Sequence, residues 1–217
     1  MDYNIDRRND LENKIIDFNS KEFIDIMSIY QCAMNILFSK INEIKTVINE
    51  KKGYEVVKCV THRMKSTHSI IEKLVQKHLA PTYGNLIKNI RDVSGIRIVC
   101  NFEEDIFIIK NILSKIDGIN IVDEKDYINN PKPSGYRAYH LIVEIPLDDT
   151  LNVTVEIQIR TVLMDYWSEI EHQVKYKKNI KLSPSDSYKL TMCASAINFF
   201  SGQMEKIYRK NKRLLGH

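Results

Sequence analysis

From Asn152 to Arg160 the chain alternates without a break. Val153, Val155, Ile157 and Ile159 fall on one side, and Thr154, Glu156, Gln158 and Arg160 on the other. Side chains of an extended strand point alternately to opposite faces. The segment is therefore a strand with one apolar face, and its other face carries a carboxylate, an amide and a guanidinium in a row. Such a strand needs a sheet with one side buried. An ordinary solvated sheet face reads the same way, so this strand alone does not decide between a site and a surface.

The rest of the chain supplies the sheet and its cover. Phe23, Ile26, Met27, Tyr30, Ala33, Met34, Leu37, Ile41, Ile44 and Ile48 recur in steps of three and four, which is the mark of a long amphipathic helix; Gly53 follows as its stop. Tyr54 to Lys65 reads as a strand. Ser66 or Thr67 caps a helix running to about His78, and Pro81, Thr82, Tyr83 and Gly84 mark a turn. A short helix near Leu86–Arg91 leads into a strand at Gly95–Asn101, then a helix at Glu103–Lys115 and a strand at Ile119–Lys125. Tyr139–Ile145 and Asn152–Arg160 are strands joined by a turn at Asp148-Asp149, and Val162–Lys175 and Pro184–Arg213 are helices. Residues 1–20 are polar and read as frayed or helical at the edge. This order predicts an α+β fold, with one mixed sheet of about five strands and helices packed on it.

Composition narrows the chemistry. The 217 residues are 43% hydrophobic, enough for a sizeable core without staples. Only seven glycines are present, and none has the spacing of G-x-G-x-x-G or of G-x-x-x-x-G-K-[ST]. A nucleotide bound here has its phosphates held mainly by side chains. No apolar run approaches the ~18 residues of a membrane span, and no apolar signal core opens the chain. Cys32, Cys59, Cys100 and Cys193 form no C-x-x-C pair, which fits reduced thiols in a cytoplasmic protein. The net charge of +4 permits anionic ligands without arguing for nucleic acid.

Polar residues cluster beside the predicted strands. Arg63 and Lys65 share a strand face, and Ser69, Lys73 and Lys77 stack at i, i+4 and i+8 on the next helix. Together they form a clamp for a polyphosphate, although a solvated basic helix face gives the same pattern. Asp92 and Arg97 frame the mouth of the next strand. Magnesium prefers one or two protein carboxylates plus substrate phosphates, so Asp92 and a glutamate on another strand suit Mg²⁺. A capping role, or a pair with Arg91, is the plainer reading of Asp92. The longest irregular stretch, Asp126 to Arg137, holds Pro131, Lys132, Pro133, Gly135 and Tyr136, with Lys125 before it and His140 after. A tyrosine beside a glycine, among cations, suits stacking on a base.

The sequence resembles the synthetase domain of the RelA/SpoT proteins, most closely the stand-alone small alarmone synthetases. The matching segments are Arg63-Met64-Lys65 with Ser69 and Lys73; Arg91 through Arg97; Lys125-Asp126-Tyr127; Pro131 through His140; Val155 through Thr161; and Met164-Asp165-Tyr166-Trp167 with Ile170-Glu171-His172. They lie in the family's order over roughly residues 55–175. Ser94 and Ala138 are small departures, where the family often has alanine and serine.

The resemblance implies a nucleotidyltransferase-like fold and a reaction. The β,γ-pyrophosphate of ATP moves to the ribose 3′-hydroxyl of GDP or GTP, AMP leaves, and the product is (p)ppGpp. It implies Asp92 and Glu156 as Mg²⁺ ligands, with Glu156 also the general base. Arg63, Lys65, Ser69, Lys73 and Lys125 hold ATP phosphates, and Arg97 stacks on adenine. Tyr136 stacks on guanine, Lys132 and His140 meet the acceptor's 5′-phosphates, Asp165 accepts from guanine N1 and N2, and Gln158 orients its neighbours. Trp167, Glu171 and His172 read as helix packing and local polar contacts. A homotetramer built through the two long terminal helices is implied, with a shared cleft for allosteric activation by an alarmone.

Long members of the family carry a hydrolase whose metal site needs a His-Asp pair. None of the six histidines here precedes an aspartate, so synthesis without hydrolysis is the expectation. GMP, GDP and GTP all stay open as acceptors. Two other classes compete with this reading. A nucleotidyltransferase for another acceptor usually carries D-x-D, which is absent. Single-stranded RNA binding through Lys206, Arg209, Lys210, Lys212 and Arg213 is compatible with synthesis.

Overall fold

The structure is a computed structural model that describes residues 12–148, 151–176 and 182–214. Helix α1, Lys21–Lys52, starts where the Ser20 hydroxyl accepts from the Phe23 N–H, and it ends at Gly53 with φ 66°. Strand β1, Val57–Met64, follows, then α2, Thr67–Gln76, capped by Ser66. Helix α3 is Tyr83–Asn89, β2 is Ser94–Cys100 and α4 is Glu103–Leu113. Strands β3, Asn120–Asp126, β4, Tyr139–Asp148, and β5, Leu151–Thr161, complete the sheet. Helices α5, Val162–Tyr176, and α6, Pro184–Leu214, close the chain.

The sheet order is β1-β2-β5-β4-β3, with only β2 and β5 parallel. This is the mixed five-stranded sheet expected from the pattern. β5 lies at its centre, and its apolar row Val153, Val155, Ile157 and Ile159 is buried. Phe23, Ile26, Tyr30, Ala33, Met34, Leu37, Ile41 and Ile48 of α1 join the same core, as do Ile106 and Ile109 of α4. The apolar face of α1 is therefore spent on the sheet.

Two stretches depart from expectation. Residues 12–20 are not helical. Ile15 bridges Thr82, the Ile16 N–H donates to the Pro81 carbonyl at 2.9 Å, and Ile16 is buried. This tether rests on Tyr83 and Gly84, which begin α3 instead of forming a turn. The Thr82 hydroxyl caps that helix, and a side chain at Gly84 would meet the Glu12 backbone at 2.5 Å. The expected turn at Asp148-Asp149 runs onto residues outside those described.

Candidate active site

Strand register places the polar residues. Thr61, Arg97, Gln158, His140 and Lys125 stand side by side across β1, β2, β5, β4 and β3. In the next row Arg63, Gly95, Glu156, Ile142 and Asp123 are neighbours. Both rows belong to the face that the core leaves open. Glu156 is thus central, with Arg63 near one edge and Lys125 near the other. At a strand spacing of ~4.8 Å, the backbones of β1 and β3 are separated by roughly 19 Å.

Three cavities open on this face, and Glu156 lines all of them. The widest, about 890 Å³, is walled by Arg63, Lys65, Ser69, Lys73 and Asp92 on one side and by Lys132, Tyr136 and His140 on the other. A second, about 260 Å³, runs past Thr61, Arg97 and Glu169. A third, about 190 Å³, lies at the β3 edge between Lys125, Tyr127, Lys132 and His140. Pockets for one small ligand run to ~300–1,000 Å³; the widest of these three reaches about 890 Å³ alone, and all share the Glu156 wall. Cations stand at both ends with Glu156 between them, and Asp123, Glu124 and Glu169 add carboxylates at the edges.

Asp92 lies between two ammonium groups. Lys65 Nζ donates to Oδ2 at 3.0 Å, and Lys73 Nζ is 2.7 Å from Oδ1. The Lys73 contact lacks hydrogen-bond direction, which leaves the buried Oδ1 without a directed partner. Burial pushes the Asp92 carboxyl up, but Lys73 and Lys65 outweigh it and hold it below its ordinary value. Neither capping nor Arg91 explains this residue.

Glu156 is held by neighbours on its own sheet. His140 Nδ1 is 3.1 Å from Oε1, and Gln158 Nε2 donates to Oε2 at 2.7 Å. Burial again pushes the carboxyl up, and His140 and Gln158 bring it below its ordinary value against a small opposing push from Asp92. That repulsion puts the two carboxylates in each other's field. Asp92 and Glu156 both line the wide cavity, and their hard oxygen donors fit Mg²⁺ with substrate phosphates completing its shell. Among the described residues no group of three or more His, Cys, Asp or Glu side chains gathers to hold a metal.

The acceptor-side residues form a connected chain. The His140 Nε2 and the Tyr136 hydroxyl are 2.7 Å apart, and Arg160 Nη2 donates to that hydroxyl at 2.8 Å and to Gln158 Oε1 at 2.5 Å. Arg160 Nη1 also meets Asp165 at 3.2 Å, and Asp165 meets Arg97 at 3.1 Å. Lys132 Nζ sits 4.8 Å from the ring centres of both Tyr127 and Tyr136. Desolvation raises the Tyr136 phenol above its ordinary value, so it stays a neutral donor.

Several sequence expectations change here. Lys125 was grouped with the donor phosphates; the register puts it at the opposite edge, with Lys132 and His140. His140 was expected at the acceptor phosphates, yet both its ring nitrogens are engaged by Glu156 and Tyr136. Asp165 is held between Arg97 and Arg160 instead of lining the wide cavity. Trp167 is buried and donates to the Leu190 carbonyl, as a packing residue should, whereas Glu171 and His172 come to the wall of the wide cavity. The rings of His62 and Phe38 of α1 meet at a steep angle, with centroids 4.5 Å apart.

Arg160, Glu169 and Arg137 were not singled out as site residues. Arg160 had a visible signal, since it is in phase with Glu156 and Gln158 on β5. Nothing local marks Glu169, which pairs with Arg97 across 72 positions of sequence.

The chain is similar to known proteins in sequence and in fold. The family described as "Region found in RelA / SpoT proteins" matches residues 62–181. The GTP pyrophosphokinases YwaC and YjbM of Bacillus subtilis are 36% and 35% identical to the chain, each over 82% of the chain and 84% of the relative. The crystal structure of small alarmone synthetase 1 from Bacillus subtilis, bound to its product pppGpp, matches with a TM-score of 0.81 at 32% identity, over 88% of this chain and 98% of that one.

Proposed function

The chain belongs to the RelA/SpoT family, and from that premise we propose how the cleft around Glu156 makes (p)ppGpp. The activity is that of a GTP pyrophosphokinase of the small alarmone synthetase kind. The β,γ-pyrophosphoryl group of ATP passes to the ribose 3′-hydroxyl of GDP or GTP. The observation that carries the reading is the placement of Glu156 on the wall of all three cavities, with cations at either end.

ATP lies toward β1 and α2, its phosphates against Arg63, Lys65, Ser69 and Lys73 and its base against Arg97. The guanosine nucleotide lies toward the 127–138 loop, with Tyr136 against the base and Lys132 and Lys125 near the phosphates. Glu156 accepts the proton of the 3′-hydroxyl as that oxygen bonds to the β-phosphorus. The bond from the β-phosphorus to the α,β-bridging oxygen breaks, and AMP leaves with that oxygen. Charge building on the transferred group is met by Lys65 and Lys73, which Asp92 already holds in position. Asp92 and Glu156 would hold Mg²⁺, which would neutralise phosphate charge there. His140 and Gln158 keep the Glu156 carboxylate aimed.

The test is product analysis by anion exchange after incubation with Mg²⁺, ATP and GDP or GTP. AMP and a more highly phosphorylated guanosine nucleotide are expected in equal amounts; ADP or pyrophosphate as co-product overturns the assignment.

A homotetramer completes the reading, with α6 as the interface. Tyr188, Met192, Phe199, Phe200, Met204 and Ile207 form an exposed apolar row along this helix, and such rows mark interaction surfaces. An alarmone bound between subunits as an activator belongs to the same reading. Light scattering that reports a monomer at working concentration contradicts both. RNA has weaker support, because Arg209 pairs with Glu104 and Glu205 while Lys212 bonds the Lys52 carbonyl. No described helix is long and apolar enough to cross a membrane.

A further inference from the structure

We infer that α6 is the backstop of the acceptor loop, and that Thr191, Ala194 and Asn198 are positioning residues for the guanosine nucleotide. The inference rests on the reading of Lys132 and Tyr136 as acceptor-binding groups. The loop between β3 and β4 is closed at its base by the Tyr127 N–H on the Ala138 carbonyl, 3.0 Å. At its tip the Gly135 N–H donates to the Lys132 carbonyl at 2.8 Å, and the Lys132 N–H to the Tyr136 carbonyl at 3.1 Å. Lys132 and Tyr136 are therefore carried by one tight turn, and the turn needs Gly135 at φ 88°.

That turn lies directly on α6. A Cβ at Gly135 would come within 2.5 Å of the Ala194 Cβ and 3.6 Å of the Thr191 Cα. The Thr191 hydroxyl lies 3.3 Å from the Ser134 carbonyl and 3.1 Å from the Ser187 carbonyl of its own helix, sharing its one hydrogen between them. On the other side of Tyr136, Arg137 donates to Asn198 Oδ1, and its second nitrogen donates to the Ile128 carbonyl at 2.6 Å and pairs with Glu103 at 3.3 Å. The crevice between the loop and α6 is only about 20 Å³, room for about one water molecule. Tyr136 is thus pinned through both of its neighbours to one helix, while its own hydroxyl points to His140 and Arg160. None of the three α6 residues lines the wide cavity. They act on the acceptor through the loop and leave the β1 and α2 side, where ATP lies, untouched.

Asn198→Ala removes the acceptor for Arg137, and Ala194→Leu forces the turn off the helix. Steady-state kinetics with each substrate varied in turn is the test. Misplacing a binding group by about 1 Å costs up to ~10²-fold, so each variant should raise KM for GDP or GTP by roughly tenfold and keep KM for ATP within about twofold. Asn198→Asp, which keeps the accepting oxygen, should stay near wild type. A parallel rise in both KM values, or an unchanged acceptor KM in both variants, overturns the inference. Lys132→Ala, measured alongside, separates the layers. If it leaves the acceptor KM unchanged, the reading of the loop itself fails. If it raises that KM while the α6 variants do not, only the backstop fails.

Discussion

Replacing Glu156 with glutamine is expected to lower kcat by roughly 10²–10⁴-fold, the usual worth of a positioned general base. Glutamine keeps the shape of the side chain and one oxygen for the Gln158 amide, so the sheet is retained. The melting temperature should move by no more than roughly 2–4 °C, the equivalent of ~1 kcal/mol in a chain of this size. The loss should fall on kcat, with KM for ATP nearly unchanged, because the ATP phosphates are gripped at the β1 edge and not by Glu156. An active Glu156→Gln enzyme would remove this residue as the base and return the polar face of β5 to an ordinary surface.

Asp92→Asn should be as severe for turnover, roughly 10²-fold or more, and worse for the fold. It removes the carboxylate charge that pairs with both Lys65 and Lys73 and leaves two ammonium groups facing each other. The sign of the pH effect follows from the held-down carboxyl. A group whose pKa is lower in the folded than in the unfolded state contributes stability above its unfolded value of about 3.8, and loses it as pH falls through the depressed folded value. Wild type should therefore melt higher than Asp92→Asn at neutral pH, and the gap should narrow as pH drops below the ordinary carboxylate range. Melting curves from pH 7 downward check this; a gap independent of pH would mean that the Asp92 charge does not organise the lysines.

Much of this was legible in the chain because its signals are local. The period of two in β5 identified both the buried row and the row with Glu156, Gln158 and Arg160. The period of the first helix located α1 correctly, with Gly53 at its end. What stayed hidden depends on partners distant in sequence. Lys125 was expected with the ATP phosphates, and only the order β1-β2-β5-β4-β3 shows that it stands at the edge away from Arg63. The period of α1 showed an apolar face but not its partner, which is the sheet, while α6 carries an exposed apolar row. Tyr83 and Gly84 carry turn chemistry in sequence; the tether 12–20 packs against them and makes them the start of a helix. His140 shows the same limit, since only the register with Gln158 and the reach to Glu156 reveal that both its nitrogens are in use.

The most direct test of the account is a crystal structure of the protein with Mg²⁺, a non-hydrolysable ATP analogue and GDP. The account predicts the ribose 3′-oxygen at about 2.6–3.2 Å from the Glu156 carboxylate and the ion at about 2.0–2.1 Å from oxygens of Asp92 and Glu156. It also predicts the analogue's phosphates on the Lys65 and Lys73 side. A 3′-oxygen directed away from Glu156, or an ion held by neither carboxylate, would contradict it.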